Sequence, residues 1–135
     1  MPDHESSAEP YILVVEDDRD LRLLHVEVLE DEGHHVRAAA DGLEALETIE
    51  EFGPPVLVVL DLRMPRMNGW DFADRLRSRP DWKDTSIVVV AAHYQIREEA
   101  TNLQATAWLH KPVSIDDLAA VVGRVYRDRI TSMAS

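Results

Sequence analysis

Short, nearly continuous apolar runs alternate along the chain with segments whose apolar residues recur at helical spacing. Residues 11–15, 56–60, 87–90 and 107–110 read as strands; 11–15 is near-continuously apolar, as a buried parallel strand should be, and 56–60 is the most hydrophobic. Residues 35–39 are shorter and more polar, which predicts a strand near a sheet edge. Between these runs, Leu21, Leu24, Val28 and Leu29 form the apolar side of a first helix that Gly33 stops. Asp41 can cap a second helix, with Leu43, Leu46 and Ile49 inward and Gly53-Pro54-Pro55 at its end. Residues 64–69 form a loop. A third helix over 70–78 turns Phe72, Ala73 and Leu76 inward. A fourth over 96–103 is weaker, since Thr101 and Asn102 are poor helix formers. After Pro112, the Ser114-Ile115-Asp116-Asp117 run resembles a capping box and opens a last helix with Ile115, Leu118, Val122 and Val125 inward.

The order is therefore (βα)5. Short connections between alternating elements require right-handed crossovers and a parallel sheet covered on both faces. The doubly wound order 2-1-3-4-5 puts strands one and three at the centre, and ligands bind beyond the carboxyl ends at that switch point. One domain is expected over residues 11–129, with flexible tails over 1–10 and 130–135.

Composition narrows the function classes. The chain has 135 residues, 45% of them hydrophobic, and no cysteine. Disulfides, thiol chemistry and cysteine-held zinc are excluded, and a cytoplasmic setting is expected. No apolar run is long enough to span a membrane, and the polar N-terminus does not read as a secretory signal. The net charge of −12 argues against nucleic acid as a partner, because such a surface repels phosphate backbones.

The chemistry gathers where strands stop. Glu16 and Asp17 follow the first strand, Asp61 the third and Lys111 the fifth. Taken singly, an acid at a strand end is a helix cap or a solvated charge, and Asp18 reads as such a cap. In a parallel sheet, however, these strand ends share one edge, so three acids and a lysine converge. Asp17 and Asp61 can each give Mg²⁺ one oxygen, and a backbone carbonyl after Asp61 a third. A carboxylate beside Mg²⁺ and an ammonium can also attack phosphorus, giving an aspartyl phosphate. His4, His25, His34, His35 and His110 show no metal spacing and read as surface or edge residues.

At these residues the chain resembles the response-regulator receiver domains of two-component signalling, of the single-domain, chemotaxis-regulator type. The resemblance rests on Ile12-Leu13-Val14-Val15-Glu16-Asp17-Asp18, on Asp61-Leu62-Arg63-Met64-Pro65 with Met67-Asn68-Gly69, and on Lys111-Pro112. It implies a flavodoxin-like fold, with Asp61 as the phosphoacceptor and Mg²⁺ held directly by Asp17 and Asp61, through water by Glu16, and by the Arg63 carbonyl. It further implies that Lys111 pairs with Asp61 and then with the phosphoryl oxygens, that the Lys111–Pro112 peptide is cis, and that Gly69 permits the turn into the third helix. The implied partners are a sensor histidine kinase or histidine phosphotransfer protein and a downstream protein target. The last helix and fifth strand offer a surface for a homodimer.

One position departs from the family pattern. Ala91 stands where receivers carry Ser or Thr, so the hydroxyl that bonds a phosphoryl oxygen is missing. Trp108 occupies the aromatic switch position that this hydroxyl normally works with. The stretch from Ala91 to Lys111 is slightly short and has Gln104 where Gly is common, so the fourth helix is expected to be short or shifted. Arg63 and His93, each two residues beyond a site position, are placed to flank an attacking water. The alternatives are a degenerate receiver that acts as a constitutive interaction module, for which Ala91 speaks, and an aspartyl-phosphate phosphatase. The latter needs a second Asp two residues after Asp61, where Arg63 stands.

Overall fold

The structure is a computed structural model that describes residues 9–92 and 96–134. Its elements are β1 Ile12–Val15, α1 Arg19–Asp31, β2 Val36–Ala39, α2 Gly42–Phe52, β3 Leu57–Asp61, α3 Gly69–Ser78, β4 Ser86–Ala91, α4 Ile96–Asn102, β5 Ala107–His110 and α5 Ile115–Ala134. The five strands are parallel in the order β2-β1-β3-β4-β5. The sheet is therefore the doubly wound one that the alternation predicts, with β2 and β5 at its edges.

Strand residues divide between two cores by parity, because successive side chains leave a strand on opposite faces. Leu13, Val15, Val58, Leu60, Ile87, Val89 and Ala91 pack with Ala45 and Ile49 of α2, Phe72, Ala73 and Leu76 of α3, and Ala100 of α4. Ile12, Val14, Leu57, Val59, Val88, Val90 and Ala107 pack with Val28 and Leu29 of α1 and with Leu118, Val122 and Val125 of α5. Every central strand is covered on both sides, which is why these runs are uniformly apolar.

Five expectations about the fold need correction. In α1 the buried residues are His25, Val28 and Leu29, while Leu24 is exposed. His25 is thus a core residue and not a surface one. In α2, Ala45 takes an inward place and Leu43 is exposed. Ile115, the first residue of α5, is 51% exposed, whereas Leu118 one turn on is buried. Finally, α5 continues to Ala134, so 130–134 are helical where a tail was expected. No Gly or Pro after Gly123 stops that helix. α4 is short, as expected, and Gln104 after it takes a left-handed backbone with φ 58°. Among the described residues no helix is long and apolar enough to cross a membrane. His4 and His93 lie outside the described residues.

Candidate functional site

Three strand ends deliver the acids and the lysine. The β1–β3 register pairs Val15 with Leu60, so Glu16 and Asp61 emerge side by side at the carboxyl edge. Carboxylate oxygens of Glu16, Asp17 and Asp61 lie within 4.8 Å of one another. The β4–β5 register brings in Lys111, whose backbone N–H donates to the Ala91 carbonyl at 3.0 Å. Its Nζ lies 3.0 Å from Glu16 Oε1 and 3.4 Å from Asp61 Oδ2. The Lys111–Pro112 peptide is cis.

The members are not equivalent. Glu16 is 2% exposed and Asp61 4%, whereas Asp17 faces solvent. Burial, followed by the charge of Glu16, pushes the Asp61 carboxyl up to about 7. Lys111 opposes this only in part, because its ammonium sits closer to Glu16. Burial acts against the Lys111 ammonium, but Glu16 and Asp61 outweigh it and raise its pKa. One lysine thus serves two buried carboxylates, which leaves the cluster short of positive charge. The donor set is all hard oxygen, with Asp17 open on the solvent side. That combination suits a small divalent cation that keeps several waters.

Caps and neighbouring backbone hold the site in shape. Asp18 caps α1 by accepting from the Leu21 N–H, and its own N–H donates to Glu16 Oε2. Arg22 Nη1 donates to the carbonyls of Glu16 and Asp17, fixing the β1–α1 turn. The Arg63 N–H donates to Asp61 Oδ1 at 3.3 Å, and the Arg63 guanidinium lies 5.5 Å from the centre of the Trp70 ring. A cleft of about 290 Å³ opens here, lined by Asp17, Arg63, Met64, Pro65, Asn68 and Trp70. Gly69 works through close approach: its N–H donates to the Leu62 carbonyl, and a Cβ there would lie 2.5 Å from the Asp61 carbonyl oxygen. Its φ is not positive, so the expectation that it frees a turn is corrected to one of space.

Ala91 ends β4 buried against the α3 side and presents only a methyl group. Trp108 pairs in register with Val89 and is 37% exposed on the edge strand. His25 lies beneath the site: burial lowers its pKa, with Glu16 opposing and Lys111 reinforcing. Its spacing of four from Leu21 and three before Val28 places it on the inward stripe, so helical periodicity alone could have found it. Arg22 and the ion pair of Asp41 with Arg66 were also missed: Arg22 reaches back five and six residues to turn carbonyls, and the ion pair spans 25 residues.

The comparisons agree with this geometry. The model of the response regulator receiver domain matches residues 12–123. Response regulator MprA of Mycobacterium ulcerans (strain Agy99) is 40% identical over 111 residues, which is 81% of this chain and 47% of that protein. Transcriptional regulatory protein PdtaR of Mycobacterium tuberculosis is 36% identical over 123 residues, 89% of this chain and 58% of that protein. The chain therefore spans about half the length of these curated relatives. Among solved structures, chemotaxis protein CheY4 of Vibrio cholerae aligns with TM-score 0.79 at 30% identity, covering 87% of this chain and 99% of that one. The receiver domain of NtrX from Brucella abortus aligns with TM-score 0.78 at 32% identity, covering 86% and 98%. With the family model matching most of its length and the acidic pocket in place at the sheet edge, the chain belongs to the response regulator receiver domain family.

Proposed function

We propose that this receiver accepts a phosphoryl group on Asp61 in a Mg²⁺-dependent reaction and signals by binding proteins. The observation that carries the reading is the buried Asp61 carboxylate held between Glu16, Asp17 and Lys111 at the open end of the sheet. Asp17 and Asp61, with the Arg63 carbonyl, are the groups that would hold Mg²⁺, and Glu16 would act through a water. When bound, the ion neutralises charge on the phosphoryl oxygens and on the carboxylates.

The chain's own residues supply the rest. Asp61 Oδ attacks phosphorus, and the bond from phosphorus to the donor's nitrogen or oxygen breaks. The electron pair of that bond leaves with the donor. The donor class is a phosphohistidine on a sensor kinase or phosphotransfer protein, or a small acyl phosphate. Lys111 Nζ, already 3.4 Å from Asp61, turns to the incoming phosphoryl oxygens. The Arg63 guanidinium borders the cleft by which an attacking water would later reach the phosphoryl group. The protein is thus a phosphoacceptor whose own activity is confined to self-phosphorylation and self-dephosphorylation. A downstream protein target reads the result, and a homodimer through α5 and β5 is a further partner. The Ala91 methyl cannot bond a phosphoryl oxygen, so the coupling of phosphorylation to Trp108 is weakened.

The test is intact mass after incubation with Mg²⁺ and acetyl phosphate. A gain of one phosphate, lost in Asp61→Asn and on chelation of the metal, is expected. No gain under conditions that label ordinary receivers contradicts the reading and leaves a constitutive interaction module.

A further inference from the structure

The loop between β3 and α3 is fastened at two points, and only one of them belongs to the site. Its neck is closed by Gly69 against Asp61 and Leu62. Its tip is tied to a different element. Arg66 Nε and Nη2 lie 2.7 and 2.6 Å from Asp41 Oδ2, across 25 residues of sequence. Asp41 is buried, and its other oxygen already caps α2 by accepting from the Glu44 N–H at 2.9 Å. Beside it, the Gly42 N–H donates to the Met67 carbonyl at 3.0 Å, and a Cβ at Gly42 would lie 2.7 Å from Met67 Cγ. Arg66 reaches Asp41 from a left-handed backbone with φ 62°, a conformation that non-glycine residues rarely adopt.

An arginine held in a disfavoured backbone conformation, donating twice to a buried helix cap, is more specific than surface charge pairing requires. The loop it holds carries Arg63, whose N–H bonds Asp61 and which lies outside any strand or helix. We infer that the Asp41–Arg66 pair is a positioning device: it pins the 62–68 loop to the start of α2 and so sets the Arg63 backbone for cation binding beside Asp61. Neither residue is among the groups proposed above to hold the cation. This inference rests on the function proposed above.

Its test is Mg²⁺ titration by tryptophan fluorescence, since Trp70 borders the cleft, together with the Mg²⁺ dependence of labelling by acetyl phosphate. Arg66→Ala and Asp41→Asn are expected to raise the half-saturating Mg²⁺ concentration roughly tenfold, the low end for groups that orient a metal's ligands. The labelling rate at saturating Mg²⁺ should stay near that of the wild type. Arg66→Gly removes the pair while accepting the left-handed backbone, so it separates loss of the pin from loss of folding; it should match Arg66→Ala. Arg66→Lys should restore part of the affinity, and the double variant Asp41→Asn/Arg66→Ala should be no worse than either single one. Wild-type Mg²⁺ affinity in both Arg66→Gly and Arg66→Ala would overturn the inference and leave the proposed function standing. A wild-type chain that neither binds Mg²⁺ nor takes up phosphate would overturn both.

Discussion

Burial and the charge of Glu16 push the Asp61 carboxyl up to about 7, so both oppose its ionisation in the metal-free protein. A nucleophile must be ionised, and Lys111 alone does not achieve this because it is shared with Glu16. Replacing Lys111 therefore separates two roles. In Lys111→Ala, Mg²⁺ should bind at least as tightly as in the wild type, since the cation meets less competition. The rate of labelling by acetyl phosphate should nevertheless fall roughly 10²-fold, the cost of removing one preorganised charge from such a reaction. Equal loss of metal binding and labelling would argue that Lys111 only holds the fold. Ala91 yields the opposite experiment. Ala91→Ser adds a hydroxyl where β4 ends, and a hydrogen bond to a charged group is worth about 1.5–3 kcal/mol. Beryllofluoride should bind Ala91→Ser roughly tenfold more tightly; unchanged binding would show that the β4 end does not reach the phosphoryl position.

Among the elements, the loops after β1 and β3 carry most of the site, and each ends in a capped helix: Asp18 before α1 and Asn68 before α3. The Asp18 cap was legible because Asp stands directly ahead of helical periodicity, whereas Asn68 was read only as part of a loop. The strands were legible for a different reason. Residues such as Val58, Val59 and Leu60 face cores on both sides, so the sequence has no polar face to confuse the reading. Helix faces at the ends of elements were harder. Leu43 and Ile115 have the right hydrophobicity, but sit where no neighbouring element covers them. Gly69 shows the same limit: its role is a close approach between β3 and α3 that only the folded backbone defines. Gly69→Ala should destabilise the protein by about 1–3 kcal/mol, the range for overpacking where backbone must move. A shift of the denaturant midpoint checks this, and an unchanged midpoint would mean that the neck of the loop has room to spare.

For the molecule as a whole, the acidic cluster links folding to pH. The folded chain retains the Asp61 proton up to about 7, while the unfolded chain releases it near the ordinary value of 3.8. The folded state therefore binds more protons across that interval, and this group's contribution to stability falls as pH rises through it. His25 acts in the opposite direction: its lowered pKa contributes stability above its ordinary value of 6.5 that is lost as pH falls below it. The difference between wild type and Asp61→Asn isolates the carboxyl. Asp61→Asn should be the more stable protein without metal at pH 8, and the gap should shrink toward pH 4 and on adding Mg²⁺. A gap that is constant with pH would contradict a raised Asp61.

The convergence of β1, β3 and β5 at one sheet edge matters functionally only if Asp61 itself becomes the acyl phosphate. Borohydride reduction after labelling with acetyl phosphate and Mg²⁺ converts such an aspartyl phosphate to homoserine, and peptide mass spectrometry locates the change. Homoserine at position 61, dependent on Mg²⁺, is the predicted result. Reduction at another acid, or at none while intact mass shows bound phosphate, would contradict the account.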